Sequence, residues 1–190
     1  MSVINLKTPL SQKIRKQLKA GDHVRISGII YTARDAAHKR MIEGLEKGIP
    51  LPVDFTNQII YYVGPCPAKP GEIIGSAGPT TGGRMDIYTP ELLENGLGGM
   101  IGKGNRSERV INSMMSQDGV YFACVGGAGA LLQSCIKSVE ILAYEDLGTE
   151  AIRKMEVENF PAIVVIDTFG NNLYESERKK FENKNGISRS

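Results

Sequence analysis

The sequence has 190 residues, of which 41% are hydrophobic and 23% charged, and 23 basic against 21 acidic side chains give a net charge of +2. This composition predicts one globular domain over residues 1–190, and the balanced charge argues against nucleic acid as the main partner. The chain shows neither a signal-peptide pattern nor an apolar run near the roughly 20 residues of a membrane span, so we expect no membrane partner and a cytoplasmic location.

Hydrophobic periodicity and turn residues predict strands that alternate with helices. Up to residue 102 these are helices over 11–18, 34–47 and 89–95, and strands over 24–31, 58–63, 72–75 and 98–102. Thr32 and Thr89 are the predicted caps of the helices that follow them. Beyond residue 102 the elements are helices over 107–115 and about 130–135, strands over 119–125, 139–143, 154–157 and 162–167, and a charged surface tail from about 175. The irregular alternation favours an α/β fold with helices layered on a mixed sheet.

The cysteines and histidines predict no metal site formed by this chain alone. The three cysteines, Cys66, Cys124 and Cys135, form no Cys-x-x-Cys pair, and an odd number argues against a disulfide framework. Apolar neighbours around Cys124 and Cys135 favour buried, inert thiols. The two histidines, His23 and His38, are too few for a convincing zinc site.

Residues 78–86 form the most unusual stretch, Gly-Pro-Thr-Thr-Gly-Gly-Arg-Met-Asp. Its three glycines and one proline exclude a helix interior or a central strand and predict a turn between regular elements. In such a turn, backbone N–H groups, the hydroxyls of Thr80 and Thr81 and the Arg84 guanidinium can converge on an anion. The alternative is a set of ordinary turn residues that satisfy local backbone groups.

Three basic residues, Arg34, Arg84 and Lys103, stand where a predicted strand gives way to a loop or to the start of a helix. Ligand-binding groups of α/β folds gather at such strand ends. Arginine suits bidentate capture of a carboxylate and lysine offers a compact point charge, so together they would match a small dianion. A solvated surface charge or an ordinary salt bridge is the alternative for each one taken alone.

Neighbouring polar residues have candidate roles that the pattern leaves open. Arg34 and His38 lie four residues apart and share a helix face. His38 can donate a proton, orient Arg34, or be a buried structural histidine. Thr80 or Thr81 can donate a hydrogen bond to a substrate, or act as a base where adjacent cations stabilise the alkoxide.

Five segments in this order resemble the class I, iron–sulfur-dependent fumarases. They are Thr-Ala-Arg-Asp-Ala-Ala-His-Lys-Arg at 32–40, the stretch at 78–86, Lys-Gly-Asn-Arg-Ser at 103–107, Ile-Lys-Ser-Val-Glu at 136–140 and Glu-Val-Glu-Asn-Phe-Pro-Ala at 156–162. The match runs from about Asp22 to Asn172, and several linked motifs are more specific than any single one. The chain resembles the β subunit, which is equivalent to the C-terminal domain of single-chain members.

The resemblance implies a swivelling β/β/α fold and a fumarase α subunit as partner, in a heteromer such as α2β2. In this family a [4Fe-4S] cluster is held by three cysteines of the α portion and acts as a Lewis acid toward the departing hydroxyl. Cys66, Cys124 and Cys135 do not match those ligands. The implied reaction is the reversible hydration of fumarate to (S)-malate, with a C4 dicarboxylate as substrate.

The resemblance also implies roles for individual residues. Arg34 and Arg84 match substrate-binding positions, and Lys103 matches a position that contacts a substrate carboxylate. Thr80 matches a residue that contacts substrate and is the candidate proton-abstracting base. Supporting positions in the same motifs are Asp35, His38, Thr81 and Asn105.

Two alternatives remain at this point. The β subunit of L-tartrate dehydratase shares the scaffold and the chemistry, although its relatives resemble this chain less at 82–86 and 104–105. The other is a non-catalytic dicarboxylate-binding module, because a fold does not fix a function.

Overall fold

The computed structural model of the protein describes residues 3–124 and 129–184. Its strands are β1 (Ile4–Lys7), β2 (His23–Thr32), β3 (Ile59–Tyr61), β4 (Gly99–Gly102), β5 (Val120–Ala123), β6 (Ile136–Ala143) and β7 (Ile152–Ile166). Its α-helices are α1 (Gln12–Arg15), α2 (Asp35–Glu46), α3 (Thr89–Glu94), α4 (Glu108–Gln117), α5 (Gly129–Ser134) and α6 (Leu173–Lys184). The first 3₁₀ helix is Gly82–Met85 and the second 3₁₀ helix is Glu145–Glu150. The glycine-rich turn at 126–128, the predicted end of the 119–125 strand and the tail beyond 184 lie outside the described residues.

The seven strands form one mixed sheet in the order β1-β2-β3-β4-β5-β7-β6, with an additional pairing between β2 and β7. Neighbours from β1 to β5 pair in parallel, whereas β7 pairs antiparallel with β2, β5 and β6. Because β7 pairs with both β2 and β5, the strands β2, β3, β4, β5 and β7 close into a ring. The predicted α/β fold with a mixed sheet is confirmed.

Two apolar clusters hold the layers together. The first takes side chains from all seven strands, and the second lies between the sheet and helices α2, α3 and α4. Strand β3 shows the alternation: Ile59 and Tyr61 belong to the first cluster, and Ile60 and Tyr62 to the second. Burial on both sides makes β3 apolar at every position, which fits a parallel strand covered on both faces.

The predicted strand over 72–75 is wrong. Three prolines between 65 and 70 remove backbone donors, and the segment folds back on itself instead. The Cys66 N–H donates to the Ser76 carbonyl at 3.1 Å, and the Gly75 N–H donates to the Cys66 carbonyl at 3.2 Å. A Cβ at Gly75 would lie 2.6 Å from the Cys66 oxygen, so only glycine permits this close approach.

Three other predictions are corrected. Thr89 does not cap α3, because it is the first residue of that helix and its hydroxyl donates to the Met85 carbonyl at 2.8 Å. The strands predicted over 154–157 and 162–167 are one strand, β7, which continues through Asn159 at φ 52°. Asn-Phe-Pro at 159–161 suggests a break, but Pro161 lies opposite Arg25 within the ladder. Thr32 does not cap α2, because it ends β2 and its hydroxyl donates to the Ala151 carbonyl at 3.2 Å.

The helices of the described part are short. Within residues 3–124 and 129–184, no helix is both long enough and apolar enough to cross a membrane.

Candidate functional site

The predicted site residues lie where the parallel strands β2, β3 and β4 end. Arg34 follows β2, and Lys103 follows β4 directly. Residues 78–81 run over the end of β3, where the Thr80 N–H donates to the Tyr62 carbonyl at 2.7 Å. The Thr80 Oγ1 donates to the same carbonyl at 2.9 Å. Parallel strands place their carboxyl ends at one edge, which is where ligands bind in open α/β sheets.

Backbone bonds join Thr80, Thr81 and Lys103. The Lys103 N–H donates to the Thr80 carbonyl at 3.1 Å, and the Gly82 N–H donates to the Lys103 carbonyl at 2.8 Å. Thr81 and Lys103 thus form a parallel bridge that extends the edge of the sheet beyond β4. Asn105 follows Gly104, which has φ 79°, and its carbonyl lies 3.5 Å from where a Cβ at Gly83 would stand.

One carboxylate links the two predicted arginines. The Asp35 Oδ1 lies 2.9 Å from the Arg84 Nε, and the Asp35 Oδ2 lies 3.8 Å from the Arg34 Nη2. Arg34 also packs on Gly64, where a Cβ would overlap the guanidinium and lie 3.1 Å from the Arg34 Cδ. The predicted cations Arg34 and Arg84 are therefore neighbours, although helix α2, strand β3 and a long loop separate them in the sequence.

The site is open on one side. The Arg84 side chain is 55% exposed and that of Arg34 is 19% exposed. Lys103 and Thr81 are exposed, and Thr80 is half-buried. We call these five residues the charged wall, and its Arg84, Lys103 and Thr81 side chains are open to solvent.

His38 lies beneath the site and is fully buried. Its Nδ1 lies 2.8 Å from the Arg34 carbonyl, and its ring meets Tyr62 edge-on with centroids 5.4 Å apart. Burial lowers the His38 pKa to about 4, although the hydrogen bond with the Arg34 carbonyl raises it in part. The imidazole is therefore neutral at pH 7, and Nδ1–H is the tautomer that can donate to the carbonyl. This placement favours the role of orienting Arg34 over proton donation to a ligand.

Arg106 and Asp86 join the two loops of the site, and the sequence analysis assigned neither of them a role. The Arg106 side chain is fully buried, and its Nε donates to the Asp86 Oδ1 at 2.6 Å. Its Nη2 donates to the Thr89 Oγ1 at 2.7 Å, and the guanidinium lies 4.9 Å from the Tyr121 ring centroid. The Asp86 Oδ2 accepts the Ser107 N–H at 2.5 Å. Asp86 lies in the stretch at 78–86 and Arg106 in the segment at 103–107. A sequence motif does not indicate which of its side chains are buried, so this pair could not be predicted.

Glu150 is a third residue whose role was not predicted from the sequence. It ends the second 3₁₀ helix, and its Oε2 accepts the Ala36 N–H at 2.7 Å. Its Oε1 lies 3.7 Å from the Arg34 Nη2. The contact joins residues 114 positions apart, so no local pattern could have indicated it.

The described residues do not fit an iron–sulfur cluster. Within residues 3–124 and 129–184, no three His, Cys, Asp or Glu side chains are grouped to hold a metal ion. Cys66 is exposed, Cys135 is buried and Cys124 lies between these extremes. Burial raises the Cys124 pKa to about 12, so this thiol is protonated at pH 7 and is not a ready ligand.

Comparison with known proteins identifies the family. A family model described as "Fumarase C-terminus" matches residues 1–177. Fumarate hydratase 1, mitochondrial, of Leishmania major is 42% identical over 178 residues, which are 91% of this chain and 32% of that protein. The aerobic class I fumarate hydratase of Escherichia coli K12 is 38% identical over 90% of this chain and 32% of its own length.

A shorter relative matches over almost its whole length. The putative L(+)-tartrate dehydratase subunit beta of Methanocaldococcus jannaschii is 38% identical over 92% of this chain and 93% of its own length. The chain thus spans about a third of the fumarate hydratases named above and nearly all of this subunit. The resemblance in the sequence motifs is confirmed. The chain belongs to the Fumarase C-terminus family and is a β-type domain of the class I fumarate hydratases and tartrate dehydratases.

Proposed function

We propose that the chain is the β subunit of a heteromeric hydro-lyase that catalyses the reversible hydration of fumarate to (S)-malate. The observation that carries this proposal is the meeting of Arg34, Arg84, Lys103 and Thr80 at one edge of the sheet. Relatives named fumarate hydratase support the reaction, and the relative named subunit beta supports the division into subunits.

The charges at the site and the names of the relatives favour a C4 dicarboxylate as substrate. Arg34 and Arg84 present planar guanidinium groups that suit carboxylates, and Lys103 adds a mobile ammonium on the exposed side of the wall. Asp35 offsets part of this charge by pairing with both arginines. In this proposal the two carboxylates of the substrate bind to the cations Arg34, Arg84 and Lys103.

Thr80 is the proposed base that takes a proton from the carbon next to one carboxylate. A threonine hydroxyl is a very weak acid, so Arg84 and Lys103 have to stabilise both its alkoxide and the charge that develops on the carboxylate. The hydroxyl now donates to the Tyr62 carbonyl at 2.9 Å. An alkoxide has no proton to donate there, so we expect the Thr80 Oγ1 to turn away from that carbonyl when it acts as a base.

In this proposal the [4Fe-4S] cluster belongs to the partner, a fumarase α subunit, because the donor set of this chain does not fit it. The cluster supplies Lewis acidity when bound, and this chain supplies carboxylate binding and proton transfer. A heteromer such as α2β2 in the cytoplasm is the proposed working form.

The test is anaerobic assembly of the chain with an α subunit and a reconstituted cluster, followed by assays on fumarate, malate and tartrate. We expect fumarate hydration by the complex, and a colourless, inactive chain when it is purified alone. Thr80→Val should reduce kcat by about a thousandfold and lower the melting temperature only slightly, because it replaces the hydroxyl with a methyl group of similar size and removes one hydrogen bond to the Tyr62 carbonyl. Thr80→Ser, which keeps the hydroxyl, is the matched control.

Each alternative gives its own result in these assays. Turnover of tartrate without turnover of fumarate would favour a tartrate dehydratase, as the coverage of the Methanocaldococcus jannaschii relative permits. Calorimetric binding of malate to the chain, with no turnover in any cluster-loaded complex, would favour a binding module. A cluster spectrum from the purified chain would contradict the proposed subunit division.

A further inference from the structure

Glu150 makes two contacts with the same turn of chain through its two carboxylate oxygens. Oε2 accepts the Ala36 N–H at 2.7 Å, in the first turn of α2, and Oε1 lies 3.7 Å from the Arg34 Nη2. A carboxylate is favoured at the positive end of a helix dipole, so the first contact stabilises the start of this 12-residue helix. One side chain therefore acts on both the helix and the guanidinium.

The Arg34 side chain is confined on three sides but retains free donors. Gly64 lies under the guanidinium, Asp35 lies 3.8 Å from Nη2, and Glu150 lies 3.7 Å from the same atom. Both distances exceed those of a hydrogen bond. The Arg34 Nε is buried and has no hydrogen-bond partner among the described residues. The guanidinium is thus held mainly by charge and packing, and Nη2, which has no carboxylate at hydrogen-bond distance, remains for a ligand.

The charges around Arg34 explain why a second carboxylate is needed. Asp35 lies 2.9 Å from the Arg84 Nε, so its charge is largely committed to Arg84. Without Glu150, Arg34 would compete with Arg84 for Asp35. We expect the Arg34 guanidinium to move toward Asp35 in that case and to lose its contact with Gly64.

We propose that Glu150 is a positioning residue: it holds the Arg34 guanidinium and the amino end of α2 in the arrangement that binds a substrate carboxylate. The substrate part of this role rests on the proposed function of Arg34. The placement of Arg34 by Glu150 does not depend on turnover, and it can be measured on the chain itself.

The informative substitution is Glu150→Gln. A glutamine oxygen can still accept the Ala36 N–H, so the start of α2 is retained while the negative charge beside Arg34 is lost. Glu145→Gln is the matched control. Glu145 lies in the same 3₁₀ helix and is exposed, and its substitution removes the same charge as Glu150→Gln. Glu150→Gln should lower the unfolding temperature only slightly, because it loses a partly screened charge but keeps the hydrogen bond with Ala36, and Glu145→Gln should leave it unchanged.

The first readout is the rate at which phenylglyoxal, an arginine-specific reagent, modifies Arg34 in the full chain, followed by peptide mass spectrometry. We expect the rate to rise about fivefold in Glu150→Gln, because the guanidinium loses a counter-charge worth roughly 1 kcal/mol at a partly exposed site. The rate should stay unchanged in Glu145→Gln. Equal rates in the wild type and Glu150→Gln would overturn the proposal.

The second readout is steady-state kinetics of the complex with an α subunit. Glu150→Gln should raise KM for the dicarboxylate about tenfold and change kcat by less than about threefold, because carboxylate binding is weakened more than proton transfer. A merely structural role would lower the melting temperature and leave KM unchanged, which contradicts the proposal. An inactive wild-type complex would contradict the proposed function, and the modification rates would still decide the role of Glu150.

Discussion

At the scale of single residues, hydrogen-bond partners separate a structural arginine from a binding one. The Arg106 guanidinium donates to Asp86 at 2.6 Å and to Thr89 at 2.7 Å, so protein groups already use its donors. The carboxylate oxygens near the Arg34 Nη2 stand at 3.7 and 3.8 Å, and its Nε has no partner in the described part of the chain. A buried donor without an acceptor is costly unless a ligand completes it. Arg34 therefore fits a binding role and Arg106 a structural one.

His38 gives a prediction about pH. Burial lowers its pKa from 6.5 to about 4, so the unfolded chain binds a proton in this range and the folded chain does not. Protonation then favours unfolding, and the stability contributed by the neutral imidazole falls as the pH drops from 6.5 toward 4. From pH 7 to pH 5 this loss is about 2 kcal/mol. We expect urea unfolding to measure it as the difference between the wild type and His38→Asn.

Comparison with His38→Asn cancels the contributions of the other titratable groups to the pH dependence of stability. Asparagine can still donate to the Arg34 carbonyl but does not titrate, and the exposed His23 and all carboxylates are present in both proteins. The free energy of unfolding of His38→Asn should therefore fall less between pH 7 and pH 5. An equal loss in both proteins would mean that folding does not lower the His38 pKa, which contradicts the prediction.

At the scale of elements, local signals predicted the strand ends but not the contacts across the chain. Glycine and proline mark the turn at 78–86, and the strand that ends before Lys103 is visible in its apolar pattern. Those signals placed Arg84 and Lys103 at a loop or a strand end. The pairing of Glu150 with Ala36 has no such signal, because it depends on how β7 and the second 3₁₀ helix pack beside α2. Strand β7 was divided in prediction because Asn159 and Pro161 are weak strand formers, yet the ladder with β2 resumes at Phe160 and Pro161 and overrides that preference.

The buried pair of Asp86 and Arg106 gives a prediction about the connection between two loops. Asp86→Asn should destabilise the fold by about 3 kcal/mol, because it leaves a fully buried guanidinium without its counter-charge. The asparagine oxygen can accept the Ser107 N–H, but the amide NH2 then faces the Arg106 Nε, so the loss includes one hydrogen bond as well as the charge. Chemical denaturation measures this loss in the free energy of unfolding.

The control is Asp146→Asn. Asp146 pairs with Arg40 at an exposed position, so this substitution should change the free energy of unfolding little. Equal destabilisation in both variants would show that the buried pair has no special role.

At the scale of the whole molecule, the closed ring of strands explains how an open site can be held rigidly. The ring places the ends of β2, β3 and β4 at one edge, and helices α2, α3 and α4 cover the second apolar cluster beside them. The exposed face of Arg84 and Lys103 is where the proposed α subunit would complete the pocket. The charged wall thus depends on the ring for its geometry.

The ring also predicts which strands open last. Residues 153–157 of β7 pair with β2 on one side and with β6 on the other, so opening this segment breaks two ladders at once. Strands β1 and β6 are the outer strands of the sheet, and β6 exposes Ile141 and Leu142. Backbone amides that are released only by larger opening exchange more slowly. Hydrogen–deuterium exchange with mass spectrometry should therefore show slower uptake in peptides from β7 than in peptides from β6 and β1. Equally slow uptake in β6 of the isolated chain would mean that its outer edge is covered, and a change with protein concentration would identify a second copy as the cover.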